Sequence, residues 1–292
     1  MNTEETSVIQ PLLDSVNMIK KLFSIAIVLL MVVMPADAQR VDTVNVHSNA
    51  MDRDIPNLVI LPAGYKDAYA MPVVYLLHGH GDNFTQWYRR TQPELPQLAT
   101  QYGIIIVCPE GERSWYFDSP VNPRSQFETY VSTELVSFID SHYKTIAHAW
   151  ARAITGFSMG GHGGLWLGIR HPDVYGSCGA LSGGVDFRAF PDNWNIKDQI
   201  GEYKDYKEVW DRSTVLSLAD KVKPGQRICI DCGVDDFFYP CNVALHEALL
   251  KNKVPHDFTV RPDGHSHDYW RNAILYQLLF FTESFKSAAS KR

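Results

Sequence analysis

The chain has 292 residues, 45% of them hydrophobic and 12% aromatic, with 27 Lys and Arg against 33 Asp and Glu for a formal net charge of −6. That is enough apolar material for one sizeable core. Charges of both signs are mixed along the sequence, which excludes a basic nucleic-acid face and an acidic tail.

The first segment reads as a leader rather than as fold. Met18, Ile19, Lys20 and Lys21 give a short positive start, and residues 22–34, LFSIAIVLLMVVM, form an apolar run. Ala36-x-Ala38 follows as a small-residue cleavage signature. This is the order of parts in a secretory signal peptide cut after Ala38. Residues 1–38 are therefore expected to be an extension and leader, and residues 39–292 a secreted or periplasmic domain. A membrane span needs about 20 apolar residues, so no stable membrane insertion is expected after cleavage; the alternative is an uncleaved signal anchor. The residues before Met18 are polar and acidic, which makes Met18 a candidate start.

Beyond the leader, residues 41–47 and 57–61 read as strands, antiparallel to each other. Residues 71–77, MPVVYLL, and 104–107 are continuous apolar runs of the kind that suits strands covered on both faces. Residues 127–143 carry apolar positions at helical spacing. A strand at 151–155 precedes a helix at 161–171. Further strands are expected at 177–182, 227–232 and 257–260, and helices at 242–253 and 269–286. Strands alternating with helices predict an α/β fold, a mostly parallel central sheet with helices on both faces. Residues 186–218, rich in Asp, Asn, Trp and Tyr, break the alternation and read as a cap-like insertion.

The unusual motifs all fall at carboxyl ends of strands, where such sheets gather function. ITGFSMGGHGG places Ser158 in G-x-S-x-G between a strand and a helix, the setting of a nucleophile on a sharp turn. A serine hydroxyl needs a histidine base, a carboxylate to orient that base, and donors for the oxyanion. RICIDCGVDDFF ends a strand and offers Asp235 and Asp236. Asp236 is favoured by the expected Ser, Asp, His order and by loop placement. VRPDGHSHDYW offers His265 as the base after a turn signal, leaving His267 to line the pocket. The backbone amides of Met159, after the nucleophile, and of His80, in YLLHGHGDN, are the expected oxyanion donors. Trp115, Tyr116 and Asp118 in ERSWYFDSP sit at the same rim as a candidate substrate wall; the alternative is an aromatic loop packed on the sheet edge.

The five cysteines offer no metal site: Cys229 and Cys232 are three apart on a strand and face opposite sides. A Cys232–Cys241 disulfide is open in an oxidising compartment. No metal and no organic cofactor is expected.

YLLHGHGDNFTQW, SWYFDS, ITGFSMGGHGG, IDCGVDDFF and GHSHDYW together resemble the α/β-hydrolase esterases of the esterase D type. These include S-formylglutathione hydrolases, feruloyl and acetyl esterases, tributyrin esterases and the antigen 85 mycolyltransferases. The resemblance runs over almost all of the chain after the leader. It implies Ser158, Asp236 and His265 as a triad, with His80 and Met159 as oxyanion donors. It implies a serine carboxylesterase acting through an acyl-enzyme, with feruloyl or acetyl groups on carbohydrates as the suggested substrates. The family usually has an aromatic residue where this chain has His267. The cysteine motif of the S-formylglutathione hydrolases is absent. The rival readings are an acyltransferase using the same triad with a sugar acceptor, and a non-catalytic carbohydrate-binding protein on a hydrolase fold.

Overall fold

Strands β1 (Arg40–Ser48), β2 (Arg53–Leu61), β3 (Val73–Leu77), β4 (Ile105–Pro109), β5 (Arg152–Gly156), β6 (Ser177–Leu181), β7 (Arg227–Gly233) and β8 (Asp257–Arg261) make one sheet. Their order is β1-β2-β4-β3-β5-β6-β7-β8. The computed structural model describes residues 38–66 and 69–291 together with Met18 and Lys20, so the extension and leader expected at 1–38 lie outside the described residues apart from Met18, Lys20 and Ala38. Among those described, no helix is long and apolar enough to cross a membrane.

Each run expected as a strand forms one. β1 and β2 pair antiparallel along their full length, from Arg40 opposite Leu61 to Ser48 opposite Arg53, and β2 pairs antiparallel with β4. The remaining pairs are parallel. β2 starts at Arg53, earlier than its apolar residues suggest, because pairing with β1 carries it back to the tight turn at 49–52. β3 to β6 are buried at every position, as covered parallel strands should be, whereas the edge strand β8 is half exposed.

Alternation along the strands divides the core in two. Val73, Tyr75 and Leu77 of β3 face one side, with α2 (Leu135–His142) and α3 (Met159–Arg170). Val74 and Leu76 face the other, with α1 (Leu95–Tyr102) and α7 (His267–Ala289). The helix expected over 127–143 is segmented: one turn at Phe127–Thr129, a π-helical stretch at Tyr130–Glu134, then α2. Helix α1 and a π-helical turn at Trp87–Thr91 were not anticipated. They form because β3 and β4 are parallel neighbours, and their connection must cross a face of the sheet.

Residues 186–218 fold as short helices α4 (Ile196–Ile200) and α5 (Lys207–Arg212) and a 3-10 turn at Val215–Leu218, over buried Phe187 and Trp210. After β7 runs α6 (Tyr239–Lys251). His162 on α3 joins these parts. Its ring is fully buried, with Nδ1 3.1 Å from the Trp115 carbonyl and Nε2 3.1 Å from the Ser213 carbonyl. Burial lowers its pKa to about 4, so at neutral pH the ring has one N–H and donates to one carbonyl only.

Helix α3 lies so close to the sheet that a Cβ on Gly164 would meet the Gly179 carbonyl oxygen at 2.5 Å and the Thr155 Cα at 2.9 Å. Helix propensity alone predicts that Gly164→Ala stabilises by about 1 kcal/mol. The contact reverses the sign: the substitution should destabilise by about 2–3 kcal/mol, read as a lower denaturant midpoint at unchanged slope. His162 supplies a pH dependence. Its folded pKa lies below the unfolded value of 6.5, so between these values the unfolded chain binds the extra proton. Its stabilising contribution is therefore present above pH 6.5 and lost as pH falls towards 4. The melting temperature should drop over that window, and by less in His162→Gln; equal drops would remove His162 as the cause.

Candidate active site

Ser158 stands between β5 and α3 with φ 59° and ψ −117°, a conformation that costs a non-glycine residue energy. Hydrogen bonds hold it there. Its N–H donates to the Leu181 carbonyl at 3.0 Å, and its carbonyl accepts from the N–H groups of Gly161, His162 and Gly184 at 3.0–3.1 Å. The turn also needs space. A Cβ on Gly156 would lie 2.4 Å from the Leu77 carbonyl oxygen, and one on Gly160 2.3 Å from it.

Asp236 follows β7 and His265 follows β8. The two loops meet where Gly233 passes the Asp263 carbonyl, 2.1 Å from where a Cβ would stand. Asp263 itself has φ 99° and turns the chain back so that His265 faces the sheet end. His265 Nδ1 is 2.8 Å from Asp236 Oδ2, and His265 Nε2 is 2.9 Å from Ser158 Oγ. The Asp236 side chain is fully buried, and its Oδ1 accepts the Phe238 N–H at 2.8 Å. An ionised carboxylate only accepts, so the Nδ1 proton points to Asp236 and Nε2 is left to accept from Ser158 Oγ–H. Asp235, the neighbouring carboxylate, is exposed and does not reach the histidine.

The amide of Met159 opens α3, where a helix leaves its N–H groups without intrahelical acceptors. Among the described residues, neither the Met159 nor the His80 amide donates to a backbone carbonyl. The loop carrying His80 is set on the ring of Phe157, where a Cβ on Gly79 would come within 2.6 Å. The His80 ring lies 3.2 Å from Asn195 Oδ1 in the cap-like segment.

Three of the expected wall residues have other surroundings. Trp115 and Tyr116 both have positive φ, 56° and 61°, which turns their side chains inward, and both are buried. Trp115 Nε1 donates to the Trp194 carbonyl at 3.0 Å, and the Tyr116 hydroxyl donates to the His78 carbonyl at 3.1 Å. Asp118 caps the start of the 127–129 turn, accepting from the Thr129 N–H at 2.9 Å and the Thr129 hydroxyl at 2.5 Å. Trp115 and Tyr116 are thus packed beneath the site, whereas Asp118 lines a cavity of about 350 Å³ with Phe117, Glu128 and Trp166 that includes none of Ser158, Asp236 and His265. His267 begins α7. Its Nδ1 is 2.9 Å from the Thr91 hydroxyl, and its ring meets Phe157 and Trp270 edge-on. Burial, then the nearby cations Arg90 and Arg271, lower its pKa to about 4. It supports the floor of the site, and His265 alone of the two histidines meets Ser158. Cys232 and Cys241 are both free thiols, so the disulfide left open by the sequence is not formed. The Cys232 thiol is buried on β7 and the Cys241 thiol donates to the Phe238 carbonyl at 3.1 Å.

Two features escaped the sequence. Buried His78 packs beneath the loop it begins, with Nδ1 2.8 Å from the Gly79 carbonyl and Nε2 accepting the Gly111 N–H at 2.9 Å. Phe237, next to Asp236, is 46% exposed, and its ring centroid is 4.3 Å from that of His265. The sequence signal around His78, a strand followed by alternating His and Gly, points to a loop and not to a buried ring. The DDFF stretch did carry a signal for the second, an unburied aromatic beside the acid.

Comparison with known proteins agrees with this architecture. A family model described as "Putative esterase" matches residues 48–281. An esterase of Mycobacterium tuberculosis is 32% identical over 136 residues, 44% of this chain and 29% of the relative, so the match spans under a third of that relative's length. Among solved structures, a ferulic acid esterase is 27% identical with a TM-score of 0.74, over 85% of this chain and 99% of that one. An S-formylglutathione hydrolase of Staphylococcus aureus is 21% identical with a TM-score of 0.70, over 84% of this chain and 100% of the other. The likeness to MPT51 of M. tuberculosis, at 17% identity and a TM-score of 0.67, covers 84% of this chain and 99% of that one and shows the shared fold. With a family match over most of its length and a sheet of this order, the chain belongs to the esterase family and has the α/β-hydrolase fold.

Proposed function

We propose that the chain is an exported serine esterase that removes acyl groups from carbohydrate esters. The observation that carries the chemistry is the unbroken line of hydrogen bonds from Ser158 Oγ through His265 to buried Asp236. In this reading Ser158 Oγ attacks the ester carbonyl carbon while His265 Nε2 takes its proton. Asp236 holds the ring in the tautomer that can accept, and stabilises the imidazolium as it forms. The oxyanion is met by the amides of Met159 and His80. Collapse breaks the ester C–O bond, and His265 returns the proton to the departing alcohol oxygen. Water, deprotonated by the same imidazole, then attacks the acyl carbon; the bond to Ser158 Oγ breaks, Oγ takes the proton back from His265, and the carboxylic acid leaves. The residues in these roles need no metal or organic cofactor.

Export is supported by the apolar run at 22–34 before Ala36-x-Ala38. The carbohydrate-ester reading draws on the ferulic acid esterase among the structural neighbours. Phenyl and methyl esters of short acids are the test substrates. Ser158→Ala should lower kcat by at least about 10⁴-fold, and Asp236→Asn by about 10³–10⁴-fold. Asp235→Asn should stay within about twofold of the parent, because an exposed carboxylate away from the histidine orients nothing. Full activity in Ser158→Ala would sink the mechanism, and a large loss in Asp235→Asn would reassign the acid.

A further inference from the structure

The acid–base roles above give the site two sides, because the departing alcohol oxygen must come within hydrogen-bond reach of His265 Nε2. Whatever the alcohol carries therefore extends past the His265 ring. Of the rings against His265, Phe238 and Trp270 are buried, and Phe237 is 46% exposed and 4.3 Å away between centroids. Trp194 of the cap-like segment stacks on Phe237 at 5.6 Å with an interplanar angle of 17°. Phe190 packs against both, at 6.3 Å from Phe237 and 5.2 Å from Trp194. A shelf of aromatic rings thus leads away from the general acid.

Phe190 and Phe237 also line a cavity of about 540 Å³ together with Tyr203, Asp186, Arg188 and Asp211. That volume falls among those of small-molecule sites. Its charged side is held in place: Arg188 donates to both Asp186 oxygens at 2.7–2.8 Å and to Asp211 at 2.9 Å. The guanidinium is fixed, yet these side chains stay part exposed, 20–37%, so donors and acceptors remain open to the cavity. A hydrocarbon or simple aromatic alcohol would use the rings and leave this charged side unmatched. A sugar matches both. Its C–H faces lie on aromatic rings, and its hydroxyls both donate to carboxylates and accept from a guanidinium.

We propose that the Phe237 shelf and the cavity behind it are the alcohol-side subsite, and that they bind a saccharide of at least one ring beyond the esterified unit. This rests on the esterase reading of Ser158 and His265 and adds where on the chain the sugar is held and how far its site extends.

The test compares two esters of one acyl group, methyl ferulate and a feruloylated oligosaccharide, and titrates the unesterified oligosaccharide by calorimetry. Phe237→Ala should lower kcat/KM for the oligosaccharide ester about tenfold more than for the methyl ester. Phe190→Ala, one ring further along the shelf, should shift the ratio the same way, and both variants should weaken binding of the free oligosaccharide. Equal losses on the two esters would overturn the proposal by reducing Phe237 to a support for His265, as would unchanged oligosaccharide binding. If the parent chain cleaves neither ester, the feruloyl form of the esterase reading fails, and the calorimetry still decides the subsite by itself. If the methyl ester is cleaved with no dependence on the shelf, the subsite fails and the esterase reading stands.

Discussion

The site depends on one close approach, that of the β5–α3 turn to the carbonyl end of β3. Gly156 and Gly160 both pass the Leu77 carbonyl oxygen with no room for a side chain. That oxygen is also the acceptor for the Trp87 indole N–H at 2.9 Å, and the Trp87 ring lies edge-on to Phe157 at 4.9 Å. A single backbone group thus sets the height of the nucleophile, the seat of the loop after β3 and the packing of a buried tryptophan. The two glycines let the turn come down onto the end of β3, where the loop carrying His80 begins. The strained backbone of Ser158 is tolerable because its own N–H and carbonyl are both bonded to rigid neighbours.

The other half of the site is assembled by two parallel strands placed side by side. β7 and β8 run in register, so the loops that follow them leave the sheet at the same height. Gly233 allows those loops to touch at Asp263, and the Val234 and Asp235 amides donate to the carbonyls of Arg261 and Asp263 at 2.9 and 3.1 Å. Asp236 and His265 are consequently brought to 2.8 Å by backbone pairing, before any attraction between the side chains is counted. In the proposed reaction such preorganisation would spare the cost of aligning acid and base at the moment of proton transfer.

How much of this the sequence made legible follows from the range of the forces involved. Strand runs such as 71–77 and 104–107 could be read because burial on both faces leaves an uninterrupted apolar signature in neighbouring residues. Ser158, Asp236 and His265 could be read because each sits directly after a strand in a stretch of its own. The choice between His265 and His267 lay two residues apart, and the phase of one loop decides it. Trp115 and Tyr116 looked like a wall because their chemistry suits one; two consecutive positive φ angles, which composition does not reveal, turn them inward. Helix α1, between β3 and β4, does carry the helical pattern, with Leu95, Leu98, Ala99 and Tyr102 on one face and Gly103 closing it at φ 64°, but over only eight residues. The aromatic shelf joins residues 190, 194 and 237, which no local window contains.

The surroundings of the acid–base pair explain why its rings matter beyond shape. Asp236 has no exposed side-chain surface, and His265 is walled by Phe237, Phe238 and Trp270, at 4.3, 5.7 and 4.8 Å between ring centroids. A carboxylate this deep is costly unless something satisfies it, and here the Phe238 amide and the imidazole N–H do so. In the proposed reaction, when His265 takes the Ser158 proton, the new positive charge forms beside that carboxylate with few water dipoles to screen the pair. Their attraction is then larger than it would be in solvent, and it exists only while the ring is charged. That condition holds along the proton-transfer step and ends when the alcohol leaves with the proton. Apolar rings around a hydrogen-bonded pair therefore weight the charged stage of the reaction over the resting one, which is the differential stabilisation that catalysis requires.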